Sequence, residues 1–246
     1  MFACEAEMVA PAVKWLESLG LMVKTEFTIP WGICDLAGVS MDKHRVSERL
    51  GLGQIRPVGS VTRATILFRI PDVESRRSVT LGKLVRDCAP AMPEEMVVRE
   101  TERLLADRFV VWAGRNRLQK LNGWAPLQKR LIALELKLSR VKEAMSQAVN
   151  NLGFAGESYV GLPADVARRV LTNRQRWAEE FNEGIGLVAV TRRSCSVLIA
   201  ASSGQRRPEP ALEFYCVEKF WRTYPKGSSA STARPPIRAS FPSSRP

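Results

Sequence analysis

The sequence predicts an α/β fold: a mixed sheet flanked by helices, interrupted by an inserted helical unit. Three observations predict it. Alternating apolar stretches occupy residues 21–39, and again short stretches between 131 and 201. Helical periodicities precede the first group and separate the members of the second. Between the two groups, residues 40–125 switch to short helices followed by a basic hairpin. The expected division is therefore a discontinuous core over 1–39 and 126–224, an inserted unit over 40–125, and a tail over 225–246.

The elements follow in order. Met8, Ala12, Trp15, Leu16 and Leu19 stand at helical spacing and Gly20 ends the run, with Pro11 either in the first turn or kinking the helix. Leu21–Ile29 and Gly32–Val39 read as two strands of a hairpin broken at Pro30. In the insert, His44–Leu52 reads as a short helix and Val61–Ile70 as a strand. Thr80–Cys88 is a helix with Leu81, Leu84, Val85 and Cys88 on one face, and Pro93 opens the next, which runs to Ala106. Phe109–Trp112, a turn at Gly114, and Leu118–Leu121 make the hairpin. Residues 131–138 form a strand, 140–152 a helix, 158–162 a strand, 164–183 a helix, 187–191 and 195–201 two strands, and 211–224 a last helix.

Composition narrows the function. Lys and Arg exceed Asp and Glu by 12, and the pI is about 10.0. The tail carries Lys226, Arg234, Arg238 and Arg245 among Ser and Pro with no acid, a disordered-tail composition. An excess of +8 remains without it, so the body is basic too. Such a balance points to a polyanion, with DNA the expected partner. Cys4, Cys34, Cys88, Cys195 and Cys216 include no C-x-x-C pair, which argues against a disulfide scaffold or a structural zinc site. The single histidine, His44, argues against Ser-His-Asp hydrolysis. No apolar run is long enough for a membrane span, and Glu5 and Glu7 argue against a signal peptide. A soluble cytoplasmic protein is expected.

The chemistry concentrates on the strand at 131–138. Ile132, Leu134, Leu136 and Leu138 alternate with Ala133, Glu135 and Lys137, so an acid and a base project side by side from one face. That pair alone also fits an ordinary exposed face. Asp35, however, lies in an apolar strand, where an ionised carboxylate is costly unless paired or cation-bound. If the two strands are neighbours, Asp35 and Glu135 converge on one Mg²⁺ (or Mn²⁺), and Lys137 stands beside the attacking water or scissile phosphate. Gln147, at the edge of the apolar stripe of the following helix and in line with Arg140 and Asn151, is placed to reach substrate.

This order and spacing resemble the PD-(D/E)XK, or restriction-endonuclease-like, nuclease superfamily. Its core is helix, three-stranded meander, helix, strand, with Asp on the second strand and Glu-x-Lys on the third. Here these are Asp35 and Glu135-Leu136-Lys137, and the likeness spans residues 5–39 and 126–201. It implies a restriction-endonuclease-like core acting as a magnesium-dependent deoxyribonuclease, an endonuclease by expectation. Asp35, Glu135, the Leu136 carbonyl and a first-helix glutamate, Glu7 or Glu5, would bind metal; Lys137 and Gln147 would assist catalysis. Cys34 replaces the proline before Asp35, and about a hundred residues separate Asp35 from Glu135. The insert has the helix, turn, helix, hairpin order of a winged helix. Its expected DNA contacts are Arg99 and Arg103 on the helix after Pro93, with Arg115, Arg117 and Lys120 on the wing and Arg140 on the core. Two alternatives stay open: a non-catalytic DNA-binding protein that retains the fold, and a subunit of a DNA-processing or defence complex. A homodimer is open too.

Overall fold

The computed structural model describes residues 2–124, 126–202 and 207–224; the segment expected as a tail lies outside them. Helix α1 (Ala6–Ser18) leads into the antiparallel hairpin of β1 (Met22–Ile29) and β2 (Gly32–Met41). After the insert come β6 (Gln128–Leu136), α6 (Val141–Asn151), β7 (Glu157–Pro163), α7 (Ala164–Thr172), β8 (Gly186–Val190) and β9 (Cys195–Ile199). The sheet order is β1-β2-β6-β7-β8-β9. Strand β6 pairs antiparallel with β2 and parallel with β7, so the sheet is mixed, as expected.

Both faces of the sheet are covered. Met8, Ala12 and Leu16 of α1 pack on Leu36, Ile132, Leu134 and Leu136. On the opposite face, Ala144, Met145 and Ala148 of α6 and Ala167 of α7 pack on Val160, Leu162 and Leu187. Strand β6 is thus buried on two sides. Glu135 and Lys137, a pair that by itself also fitted an ordinary exposed face, are only 2% and 6% exposed.

The insert contains α2 (Lys43–Gly51), α3 (Val61–Arg69), β3 (Val79–Thr80), α4 (Leu81–Cys88), α5 (Glu94–Ala106), β4 (Val110–Trp112) and β5 (Arg117–Lys120). The three short strands form a sheet in the order β3-β5-β4. Its apolar residues share one cluster with Phe27, Val39 and Ala133 of the main sheet and with α9 (Pro210–Trp221). At that junction the fully buried Arg49 makes an ion pair with Glu218, and its guanidinium lies 4.0 Å from the centroid of the Trp221 ring.

Three local expectations are corrected. Val61–Ile70 is a helix, because Ser60 caps it through the Arg63 amide and Ala64 and Leu67 are buried at helical spacing. Its β-branched residues suggested a strand, but packing on α9 and α5 overrides that weak preference. Pro93 is the N-cap of α5 rather than its first residue, while Pro11 takes the second of its two expected places, in the body of α1. The helix expected at 164–183 is broken. The Asn173 side chain donates to the Arg169 carbonyl at the end of α7, then a 3₁₀ turn (Arg174–Trp177) and α8 (Ala178–Asn182) follow.

Strand β8 approaches β7 so closely at Gly186 that a Cβ there would lie 2.3 Å from Tyr159 Cδ1 and 2.7 Å from the Ala201 amide nitrogen. Gly186→Ala is therefore expected to destabilise the fold by about 1–3 kcal/mol, read as a lower urea midpoint at unchanged slope.

Candidate functional site

The meander places the two carboxylates on neighbouring strands. Leu36 pairs with Leu134 and Ala37 with Ala133, so the same register brings Asp35 level with Glu135. At Asp35 the ladder stops, and Asp35 Oδ2 accepts the Leu136 amide at 2.7 Å in place of a backbone carbonyl. The other edge of β2 is also disturbed there: the pairing with β1 skips Asp35 and Glu26, whose φ is +48°. A carboxylate substituting for a strand acceptor is held firmly while remaining partly exposed.

Glu135 is buried beside it. Its Oε1 accepts Asn151 Nδ2 at 2.6 Å, and its Oε2 is buried without a hydrogen-bond partner among the described residues. Burial pushes its carboxyl up to about 7, and the Asp35 charge adds to the rise; the Asn151 hydrogen bond and the Lys137 charge oppose it. Lys137 Nζ stands 3.8 Å from Asp35 Oδ2 and 3.8 Å from Glu5 Oε2. Glu5 also accepts the Leu138 amide at 3.3 Å. Cys34 completes the base of the cluster, its Sγ 3.5 Å from Asn151 Nδ2, and burial raises its thiol well above the ordinary range.

Asp35, Glu135, Leu136 and Lys137 therefore meet in one corner. Leu136 contributes its amide to that corner, where its carbonyl was the expected ligand. Glu7 does not join them: its Oε2 takes the Ala3 amide at 3.0 Å and Arg192 at 3.1 Å. Glu5, just before α1, is the first-helix acid at the cluster. The α6 side chain that bonds Glu135 is Asn151, one turn beyond Gln147. Asn151 lay in line with Gln147 in the sequence, but nothing there distinguished which turn crosses the strand. Arg140 is exposed at the entrance, 2.8 Å from Glu143 and 3.9 Å from Glu5.

The expected DNA contacts separate. Arg99 and Arg103 share one face of α5, but both donate to Glu100 Oε1, at 3.3 and 2.9 Å. Burial raises the Glu100 carboxyl, and the hydrogen bonds from Arg63 and Arg99 more than reverse this. The same helix exposes Glu94, Glu95 and Glu102. Lys120 is not a wing contact. It is 8% exposed, with its ammonium 5.5 Å from the Phe68 ring centroid, and burial lowers its pKa. Alternation along β5 turns Lys120 inward with Leu118 and leaves Arg117 outward. Arg115 and Arg117 are exposed on the hairpin, and Arg76 and Arg77 are exposed just before β3. Arg117 donates to Ser78 Oγ at 3.1 Å and Gln119 to the Arg77 carbonyl at 2.7 Å, which fastens those two pairs to one surface.

Among the described residues, no group of three or more His, Cys, Asp or Glu side chains is arranged to hold a metal ion, and no helix is long and apolar enough to cross a membrane. Fold and site together define an α/β protein with a mixed sheet flanked by helices and an acid–base cluster at a strand break. No protein-family model matches the chain. No curated protein matches it either. Among solved structures, it is similar to a protein of unknown function from Silicibacter pomeroyi, with a TM-score of 0.43 and 9% sequence identity over 90% of this chain and 86% of that one.

Proposed function

We propose that the protein is a divalent-cation-dependent nuclease of the restriction-endonuclease-like class, hydrolysing phosphodiester bonds in DNA. The observation that carries this reading is the corner where Asp35, Glu135 and Lys137 meet, with Asp35 bonded to the Leu136 amide between the other two. The order α1, β1-β2-β6, α6, β7, with β6 parallel to β7, supports it because it is the superfamily's helix, meander, helix, strand.

The residues suit a hard cation such as Mg²⁺. Glu135 Oε2 is a buried carboxylate oxygen without a partner, and burial has made its charged form expensive; a cation would relieve both. Asp35 and Glu135 would hold it, since Mg²⁺ is commonly bound by one or two carboxylates with water and substrate phosphate completing its shell. When bound, the ion supplies Lewis-acid polarisation of the phosphoryl group and a site for the attacking water. Asn151 orients Glu135, and Glu5 and Asp35 hold the Lys137 ammonium near 3.8 Å. Lys137 then offsets the charge that develops on the attacked phosphate.

The insert's strand and helix order, α3, β3, α4, α5, β4, β5, supports a winged-helix reading. The duplex contact is assigned to the wing and the loop before β3, because Arg115, Arg117, Arg76 and Arg77 face outward while the α5 arginines are bound to Glu100. Arg115→Glu with Arg117→Glu is expected to weaken duplex binding and flatten its salt dependence by about one unit of slope per lost phosphate contact. Anisotropy titrations at several salt concentrations measure it, and an unchanged slope would remove the wing from the interface. The nuclease reading itself is tested by incubating supercoiled plasmid with purified protein, with and without Mg²⁺ or Mn²⁺. Cation-dependent nicking that disappears in Asp35→Ala is expected; no cleavage under any of these conditions would defeat the reading.

A further inference from the structure

Beside the acid–base corner lies a cavity of about 760 Å³ that those residues do not line. Its walls are the first turns of α6 and the 3₁₀ turn after α7, with Arg140, Lys142, Gln147, Arg176 and Trp177 among them. A second hollow of about 600 Å³ shares Ser139, Val141, Arg176 and Trp177 with it, so the two make one groove. Ser139 connects this groove to the corner, because it is only two residues, at most about 7 Å of chain, beyond Lys137.

We propose that this groove docks an unpaired nucleotide next to the scissile phosphate, so that the preferred DNA substrate carries a single-stranded or frayed segment. The proposal rests on the nuclease reading. Two features carry it. Lys142 and Arg176 have no acid within ion-pairing distance among the described residues, so their charge is available to a phosphate. The exposed Arg176 guanidinium lies over the Trp177 ring, 5.5 Å from its centroid; an entering base takes its place on the ring, and the freed guanidinium turns to the phosphate.

The volume sits in the range of small-ligand sites and accommodates one nucleotide without a base pair. Stacked bases in a duplex present edges rather than faces, so a ring such as Trp177 discriminates in favour of an unpaired strand.

The test measures binding apart from cleavage. Anisotropy of a labelled single-stranded oligonucleotide of about 12 nucleotides, and of a blunt duplex of equal length, is titrated in EDTA with wild type, Trp177→Ala and Arg176→Glu. Trp177→Ala should weaken single-strand binding about tenfold and duplex binding by less than about twofold. Arg176→Glu, an exposed substitution that spares the core, should lower the single-strand salt slope by about one unit. Trp177→Phe should restore most of the affinity, and because Trp177 packs against the α6–α7 cluster, an unchanged urea midpoint for Trp177→Ala is what separates stacking from a folding defect. Single-strand affinity within about twofold of wild type in both Trp177→Ala and Arg176→Glu would overturn the groove assignment, as would equal losses for duplex and single strand. If wild type cleaves plasmid while the groove variants bind normally, only this inference falls. If the variants lose single-strand binding but wild type cuts nothing, the groove stands as a strand site and the nuclease reading falls.

Discussion

Replacing Lys137 by alanine is expected to slow plasmid cleavage by about 10²-fold or more while leaving divalent-cation binding in place. The reason is positional. Lys137 is 6% exposed, wedged between Glu5 and Asp35 at 3.8 Å from each, and it is the only cation among the residues that form the corner. Removing it takes away charge stabilisation of the attacked phosphate without touching either carboxylate that would bind metal. The Mg²⁺ concentration for half-maximal rate should stay constant or fall, since a neighbouring positive charge opposes the cation. Lys137→Arg should not restore the rate, because a planar guanidinium cannot occupy the same point between Glu5 and Asp35. Cleavage rate against Mg²⁺ concentration for the three proteins is the measurement. Wild-type rates in Lys137→Ala would reduce Glu135 and Lys137 to a structural ion-pair cluster.

The parts of this site that were legible in the sequence are those fixed by strand periodicity. Alternation through residues 131–138 puts Glu135 and Lys137 on one face, and the hairpin at Pro30 puts Asp35 on a strand; that this strand neighbours β6 was a condition left open by the sequence and supplied by the sheet order. What was not legible depends on how helices cross strands. Whether Gln147 or Asn151 of α6 reaches Glu135 depends on the packing of Ala144, Met145 and Ala148, which periodicity leaves undetermined. The same holds at α1, where Glu5 rather than Glu7 meets Lys137 because the helix is oriented by Met8, Ala12 and Leu16 on the sheet. The helix at Val61–Arg69 departs from the expected strand for a different reason: its β-branched residues carry a strand-like preference that the Ser60 cap and the buried Ala64 and Leu67 override. In the insert, charge counting identified basic residues but not their pairing. Glu100, buried among Arg63, Arg99 and Arg103, occupies the two arginines that looked best placed to read DNA.

Glu135→Gln should abolish cleavage and, in the absence of metal, stabilise the protein. The sign follows from the direction of the shift. The folded Glu135 carboxyl is raised to about 7 from 4.5, first by burial and then by Asp35, so over that interval the folded protein keeps a proton that the unfolded chain has released. Stability therefore falls as pH rises through this window and stays reduced above it. The groups around Glu135 are Asp35 and Cys34 of β2, Lys137 at the end of β6 and Asn151 of α6, and only Lys137 is positive. Glutamine has the shape of the protonated acid, can still accept from Asn151, and offers Asp35 a donor in place of a like charge. In EDTA, thermal unfolding of the two proteins should coincide near pH 5, while at about pH 8 the variant should unfold roughly 3 °C or more above wild type. Adding Mg²⁺ at the higher pH should raise the wild-type midpoint, because the cation stabilises the ionised pair, and should move the variant much less. A variant that is less stable than wild type at pH 8 in EDTA would mean that Glu135 is ionised and adequately paired in the folded protein. The buried, unpartnered Oε2 would then have lost its significance as a vacancy for a cation, and with it the structural argument for magnesium at this corner.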